Sequence, residues 1–137
     1  MGKITVPAQT GRLGEVLDFA GNAARGMGLD AKQLNDVNIA VEEIFVNISS
    51  YAYPSGEGEV TVAVSADSGK LVIEFVDSGT PFDPLANADP DTTLSADERE
   101  IGGLGIFMVK KLMDNVSYKF DNGKNILTIE KIYEYES

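Results

Sequence analysis

Around Pro54 the hydrophobic pattern of this chain changes period. Before it, Leu34, Val37, Val41, Ile44, Phe45, Ile48 and Ala52 trace one stripe at helical spacing, and Asp30 stands where a capping side chain is wanted. After it, Val60, Val62 and Val64 alternate with other residues, the period of a strand covered on one face. The two periods demand different elements, so a long amphipathic helix must give way to sheet. Each then has an apolar side that only the other can cover.

The flanking segments extend that pattern. Lys3 to Val6 is a short strand stopped by Pro7, and Thr10 opens a helix to about Arg25 on Leu13, Val16, Leu17, Ala20 and Ala24, ended by Gly26 and Gly28. The second helix runs from Asp30 to about Ala52. Asp67-Ser68-Gly69 joins strand Glu59–Ala66 to strand Leu71–Val76, which Asp77-Ser78-Gly79-Thr80-Pro81 terminates. Residues from Pro84 to about Ile101 are polar and aperiodic, long for a connection and suited to a lid. Gly102-Gly103-Leu104-Gly105 then opens an apolar run, Ile106 to Met113, read as a helix ending near Asp114. Strands at Val116–Phe120 and Asn125–Tyr133 follow, parted by Asp121-Asn122-Gly123. The order β, α, α, β, β, lid, α, β, β predicts an α+β fold. It is a two-layer α/β sandwich with helices on one face of a mostly antiparallel mixed sheet, within a single domain spanning all 137 residues.

What the chain lacks narrows its chemistry. With no Cys and no His there is no disulfide, thiol nucleophile, Ser-His-Asp triad or imidazole metal ligand, so reactions must run on carboxylates, amides, hydroxyls and backbone. Asp and Glu number 22 against 11 Lys and Arg, and a net charge of −11 is the wrong sign for binding nucleic acid or an anionic membrane. Met1 to Pro7 has no signal-peptide pattern and no apolar run reaches about 18 residues, so a cytoplasmic location is expected.

Three groups of residues can carry chemistry. At about 100° per residue, Asp36, Glu43, Asn47 and Ser50 share one face of the second helix, with apolar residues on both flanks. A carboxylate and a carboxamide four residues apart can activate a nucleophile and hold a hard cation such as Mg²⁺, although on its own such a face reads more readily as solvated surface. Asp77 closes a strand with Gly79 two residues on, an acceptor beside a sharp turn, and equally an ordinary Asp-Ser-Gly turn. Gly103 and Gly105 at a helix start let backbone N–H groups approach an anion. They form neither a P-loop, since no Gly-Lys-Ser/Thr follows, nor a dinucleotide fingerprint, whose third glycine would fall on Met108. Arg99 is the only basic residue between Thr80 and Ile101, and hence the cation available to a phosphate near the lid.

In this order, Glu43-x-x-x-Asn47 on a helix, Asp77-x-Gly79 after a strand, a long lid and Gly103-x-Gly105 at a helix start resemble the N, G1 and G2 boxes of the GHKL (histidine kinase-like) ATPase superfamily. The wording of VEEIFVNISSYAYP, FVDSGTPFDP and IGGLGIFMVKKLMDNVSY is most similar to the anti-sigma factor serine/threonine kinases of bacteria. That resemblance implies the Bergerat fold, ATP and Mg²⁺ as cofactors, and an ATP lid at about 84–101. It implies Glu43 as general base and Asn47 as Mg²⁺ ligand. Asp77 would accept from the adenine amine with Gly79 beside the base, and the amides of Gly103, Leu104 and Gly105 would meet the phosphates. Arg99 and Asn125 complete the ATP-binding set. Tyr51 stands where many members carry His, and Asn125 stands near the usual Thr after the last box's glycine, here Gly123.

The reading that follows is an ATP- and Mg²⁺-dependent serine/threonine protein kinase whose substrate is a small anti-sigma factor antagonist. The resemblance also admits a sigma factor as second partner and a homodimer. Three alternatives stay open: a non-catalytic ATP-binding anti-sigma module, a detached histidine kinase ATPase domain, and an ATP-driven switch that hydrolyses slowly. A detached histidine kinase domain would need its phosphoacceptor in another chain, because this one has no His.

Overall fold

A computed structural model describes residues 2–53, 57–81, 83 and 103–133. The expected lid, with Arg99 and Gly102, lies outside the described residues. The elements are β1 (Gly2–Pro7), α1 (Leu13–Met27), α2 (Ala31–Tyr51), β2 (Glu59–Asp67), β3 (Lys70–Asp77), α3 (Gly103–Leu112), β4 (Asn115–Asp121) and β5 (Lys124–Ile132). The five strands form one sheet in the order β1-β2-β3-β5-β4, and all four described pairings are antiparallel.

Local chemistry explains most of the boundaries. At the start of α2, Asp30 accepts from the Gln33 N–H at 2.8 Å while the Gln33 side chain accepts from the Asp30 N–H at 2.9 Å, a complete capping box. α1 ends on Gly28 at φ 94°, where the Leu29 N–H turns back to Ala24 O and the Leu29 side chain is buried. The helical rise expected from Thr10 begins as a 3-10 turn, Thr10–Arg12, and α-helix starts only at Leu13 with no side-chain cap. Gly11 and Gly14 flank that start, and glycine is the weakest α-former after proline. Both hairpins close on two left-handed residues, Ser68 and Gly69 (φ 51° and 82°) and Asn122 and Gly123 (φ 55° and 76°). This twist matches that of the flanking strands.

One face of the sheet is closed by the helices. Val60, Val62 and Val64 of β2, Leu71, Ile73 and Phe75 of β3 and Leu127 and Ile129 of β5 are buried with Val16, Ala20 and Ala24 of α1, Val37, Val41, Ile44 and Phe45 of α2, and Ile106 and Val109 of α3. Phe45 and Phe75 are fully enclosed, each side chain contributing about 1.5–3 kcal/mol by leaving water. The alternation that buries Leu71, Ile73 and Phe75 also turns Asp77 inward, and the one that buries Leu127 and Ile129 turns Asn125 inward. Two polar side chains thus arrive at the same end of the core.

Candidate functional site

Asp77 and Asn125 lie directly opposite each other where β3 ends and β5 begins, each 5% exposed. A buried carboxylate is tolerated only if its oxygens are satisfied. Oδ1 accepts from the Asn125 Nδ2 at 2.9 Å and from the Gly79 N–H at 2.9 Å. Oδ2 has no partner among the described residues. Asn125 is held in turn: Tyr118 bonds its Oδ1, and its Nδ2 also reaches Thr80 O at 3.0 Å.

Gly79 is fixed by sterics, not by dihedral preference. A Cβ there would sit 2.2 Å from Ala52 O and 2.7 Å from Ala52 C, so only glycine lets the chain leaving β3 pass the end of α2. Thr80 N donates to that same Ala52 carbonyl at 2.7 Å. Tyr53 secures the loop from the other side, donating to Glu59 O at 2.6 Å and accepting from the Ser78 N–H at 2.8 Å. Burial, together with the nearby Asp77 charge, raises the Tyr53 pKa although the bond from Ser78 opposes it, so the phenol keeps its proton.

These groups border a cleft between α2, α3 and the sheet. Its walls are apolar, from Ile44, Ile48, Phe75, Ile106 and Leu127, with Asp77, Asn125, Tyr118 and Asn47 as the polar groups. An apolar slot with a few placed polar atoms is the usual form of a small-molecule site. Asn47 donates Nδ2 to Glu43 O at 2.9 Å, which leaves its Oδ1 as the group available to a hard cation. Among the described residues no three His, Cys, Asp or Glu converge, so a metal bound beside Asn47 would draw most of its ligands from phosphate and water. The Glu43 carboxylate is half-buried and has no hydrogen-bond or ion-pair partner among the described residues. α3 begins at Gly103, so the backbone N–H groups of Gly103, Leu104 and Gly105 fall in its first turn, where amides lack intrahelical acceptors.

One part of the expected polar strip is different. Asp36 is not on a face shared with Glu43 and Asn47 in open surroundings but is 5% exposed, paired with Lys131 of β5 at 3.1 Å and with Lys32 at 3.0 Å. The angle about the helix axis does not show that Lys131 of β5 reaches Asp36. Tyr118 and Tyr53 were not anticipated. For Tyr118 the signal is present, because a two-residue turn at Asn122-Gly123 sets Phe120 opposite Asn125, with Tyr118 as the diagonal neighbour on the same face.

Residues 6–131 match the family of the histidine kinase-like ATPase domain. The chain belongs to that family. It is 32% identical over 123 residues to the serine-protein kinase RsbW of Listeria monocytogenes, covering 86% of this chain and 78% of the relative. To the RsbW of Bacillus cereus it is 30% identical over 120 residues, 85% and 74% of the two chains. In structure it is similar to the RsbU and RsbW domains of a Mycobacterium tuberculosis protein, with TM-score 0.60 and 15% identity over 96% of this chain and 32% of that one. It also resembles the catalytic domain of histidine kinase ThkA, with TM-score 0.57 and 13% identity over 99% and 100%. At those identities the structures speak for the fold, and they agree with the α+β sandwich expected from the sequence. The curated relatives bear out the expected family and the enzyme class, a serine/threonine protein kinase built on an ATP-binding domain. No helix among the described residues is long and apolar enough to cross a membrane.

Proposed function

We propose that this kinase transfers the γ-phosphate of ATP to a Ser or Thr hydroxyl of a small anti-sigma factor antagonist, working in the cytoplasm where ATP is held. The observation that carries the reading is the Asp77 carboxylate, whose Oδ1 is fixed by Asn125 and Gly79 while Oδ2 is left for a ligand at an apolar cleft. A planar base with an exocyclic amine fits those features: the ring lies between aliphatic side chains and the amine donates to Oδ2. Gly79 lets the turn pack against Ala52 and so keeps its N–H on Asp77 Oδ1.

On the α3 side of the cleft, which Ile106 lines, the first-turn amides of that helix would supply donors for phosphate oxygens. Glu43, one turn before Asn47, takes the proton of the acceptor hydroxyl as that oxygen bonds to the γ-phosphorus and the bond to the β-phosphate oxygen breaks, giving ADP and a phosphorylated partner. Mg²⁺ held by Asn47 Oδ1 would supply charge neutralisation at the phosphates, which matters in a protein of net charge −11. The protein's own contribution is mostly alignment and fixed dipoles. A sigma factor as second partner and self-association are further parts of this proposal, carried by the family resemblance of the sequence.

The test is capture of partners from the native cell followed by transfer of label from γ-labelled ATP. A small partner labelled on Ser or Thr, dependent on Mg²⁺ and on Glu43, is the expected result. A partner and ATP both bound with no transfer would overturn the kinase reading in favour of a binding module.

A further inference from the structure

Lys131 lies near the end of β5, away from the cleft, with its side chain 13% exposed. Its ammonium donates to the Leu112 carbonyl at 2.7 Å and to Asp36 Oδ2 at 3.1 Å. Leu112 is the last residue of α3, where the carbonyls have no intrahelical donor and the helix dipole is negative. One cation therefore fastens the C-terminal end of α3 to both β5 and α2. Next to it the Asp114 N–H donates to Glu130 O at 2.9 Å and the Ile132 N–H to Asp114 Oδ2 at 2.7 Å, so the chain leaving α3 is bonded to the same strand.

The body of α3 is held differently. Ile106 and Val109, with Met113 just beyond the helix, are buried in the core, and such non-directional contacts set the depth and facing of a helix more firmly than its position along its axis. Directional bonds at the C-terminal end supply that constraint. α3 has 10 residues, a rod of about 15 Å, so a fixed end also fixes the Gly103–Gly105 amides at the other. Stability alone is a weak reason to bury a lysine and an aspartate, since packed apolar side chains commonly do as well.

We propose that Lys131 is a positioning residue for the nucleotide phosphates, acting through α3: by tying Leu112 to Asp36 and β5 it sets where the first-turn amides of that helix stand. The inference rests on the reading of that first turn as the phosphate end of the cleft. It is tested with the full chain, with Mg²⁺ present throughout, by calorimetric affinities for ATP and for adenosine. Adenosine carries the base and sugar but no phosphate. Lys131→Met leaves Asp36 paired with Lys32 at 3.0 Å, so no carboxylate is stranded.

In the unmodified protein ATP is expected to bind more tightly than adenosine. In Lys131→Met the ATP affinity falls roughly tenfold or more while that for adenosine stays within about twofold. Equal losses for both ligands would mean general loosening, and an unchanged ATP affinity would mean no role; either overturns the proposal while leaving the phosphate reading intact. If the unmodified protein binds adenosine as tightly as ATP, the phosphate reading itself fails, and this inference fails with it. Should Lys131→Met not fold, as judged by thermal unfolding, Asp36→Asn with Lys131→Met carries the same comparison under the same criteria.

Discussion

Asn125 stands directly across from Asp77 in the β3–β5 register and points its Nδ2 at Asp77 Oδ1, 2.9 Å away. With the Gly79 N–H on the same oxygen, the carboxylate cannot swing, and its second oxygen is presented in one direction. In Asp77→Asn the amide oxygen would take over the two donors and an NH₂ would replace Oδ2, placing a donor where an amine must donate. ATP affinity is expected to fall about 5- to 150-fold, the loss of a hydrogen bond of roughly 1–3 kcal/mol. Calorimetry on the variant checks this, and an unchanged affinity would remove Asp77 from the site.

Gly79→Ala tests the loop independently of any ligand. The added methyl would meet Ala52 O at 2.2 Å, and both partners are backbone, so relief requires moving the end of α2 or the exit of β3. A loss of about 1–3 kcal/mol is expected, read as a lowered midpoint in thermal or denaturant unfolding. Because the Gly79 N–H also orients Asp77, ATP binding should weaken in the same variant. A fully stable Gly79→Ala protein would show that the loop yields freely.

Much of this was readable from local signals. The capping box at Asp30, the left-handed turns at Ser68-Gly69 and Asn122-Gly123, and the change of period at Pro54 all act within a few residues. The link between Asp77 and Asn125 spans 48 residues and depends on which strands become neighbours, which no local pattern determines. Asp36 shows the same limit more sharply. Its partner Lys131 is 95 residues away, so a carboxylate that looks like part of a solvated strip becomes a buried ion pair. Tyr53 carries no local mark of its role, yet its hydroxyl bonds both Ser78 and Glu59 across the chain.

The Asp36 pair makes a prediction about acid. Burial pushes its carboxyl pKa up, but the hydrogen bonds and charges of Lys32 and Lys131 outweigh this and leave it below 3.8. A depressed folded-state pKa stabilises the protein at pH values above the unfolded pKa, and that stabilisation is lost as pH falls through the folded value. Asp36→Asn should therefore lower stability near neutral pH and flatten its decline below about pH 4. Unfolding midpoints followed from pH 7 downward for both proteins give the comparison, and parallel curves would show that the pair carries no linked proton.

Glu43→Gln separates chemistry from binding. The half-buried carboxylate has no partner among the described residues and is set one helical turn before the cleft-lining Asn47, so replacing it removes a base without breaking an ion pair. Asn47 is bonded to the backbone carbonyl of residue 43, not to its side chain, and that anchor survives the substitution. ATP affinity should thus be preserved while phosphotransfer to the partner falls by about 10²–10⁴, the usual cost of a lost general base. The two quantities must be measured on the same preparation. A parallel fall in affinity and transfer would make Glu43 a binding group, and undiminished transfer would place the base elsewhere.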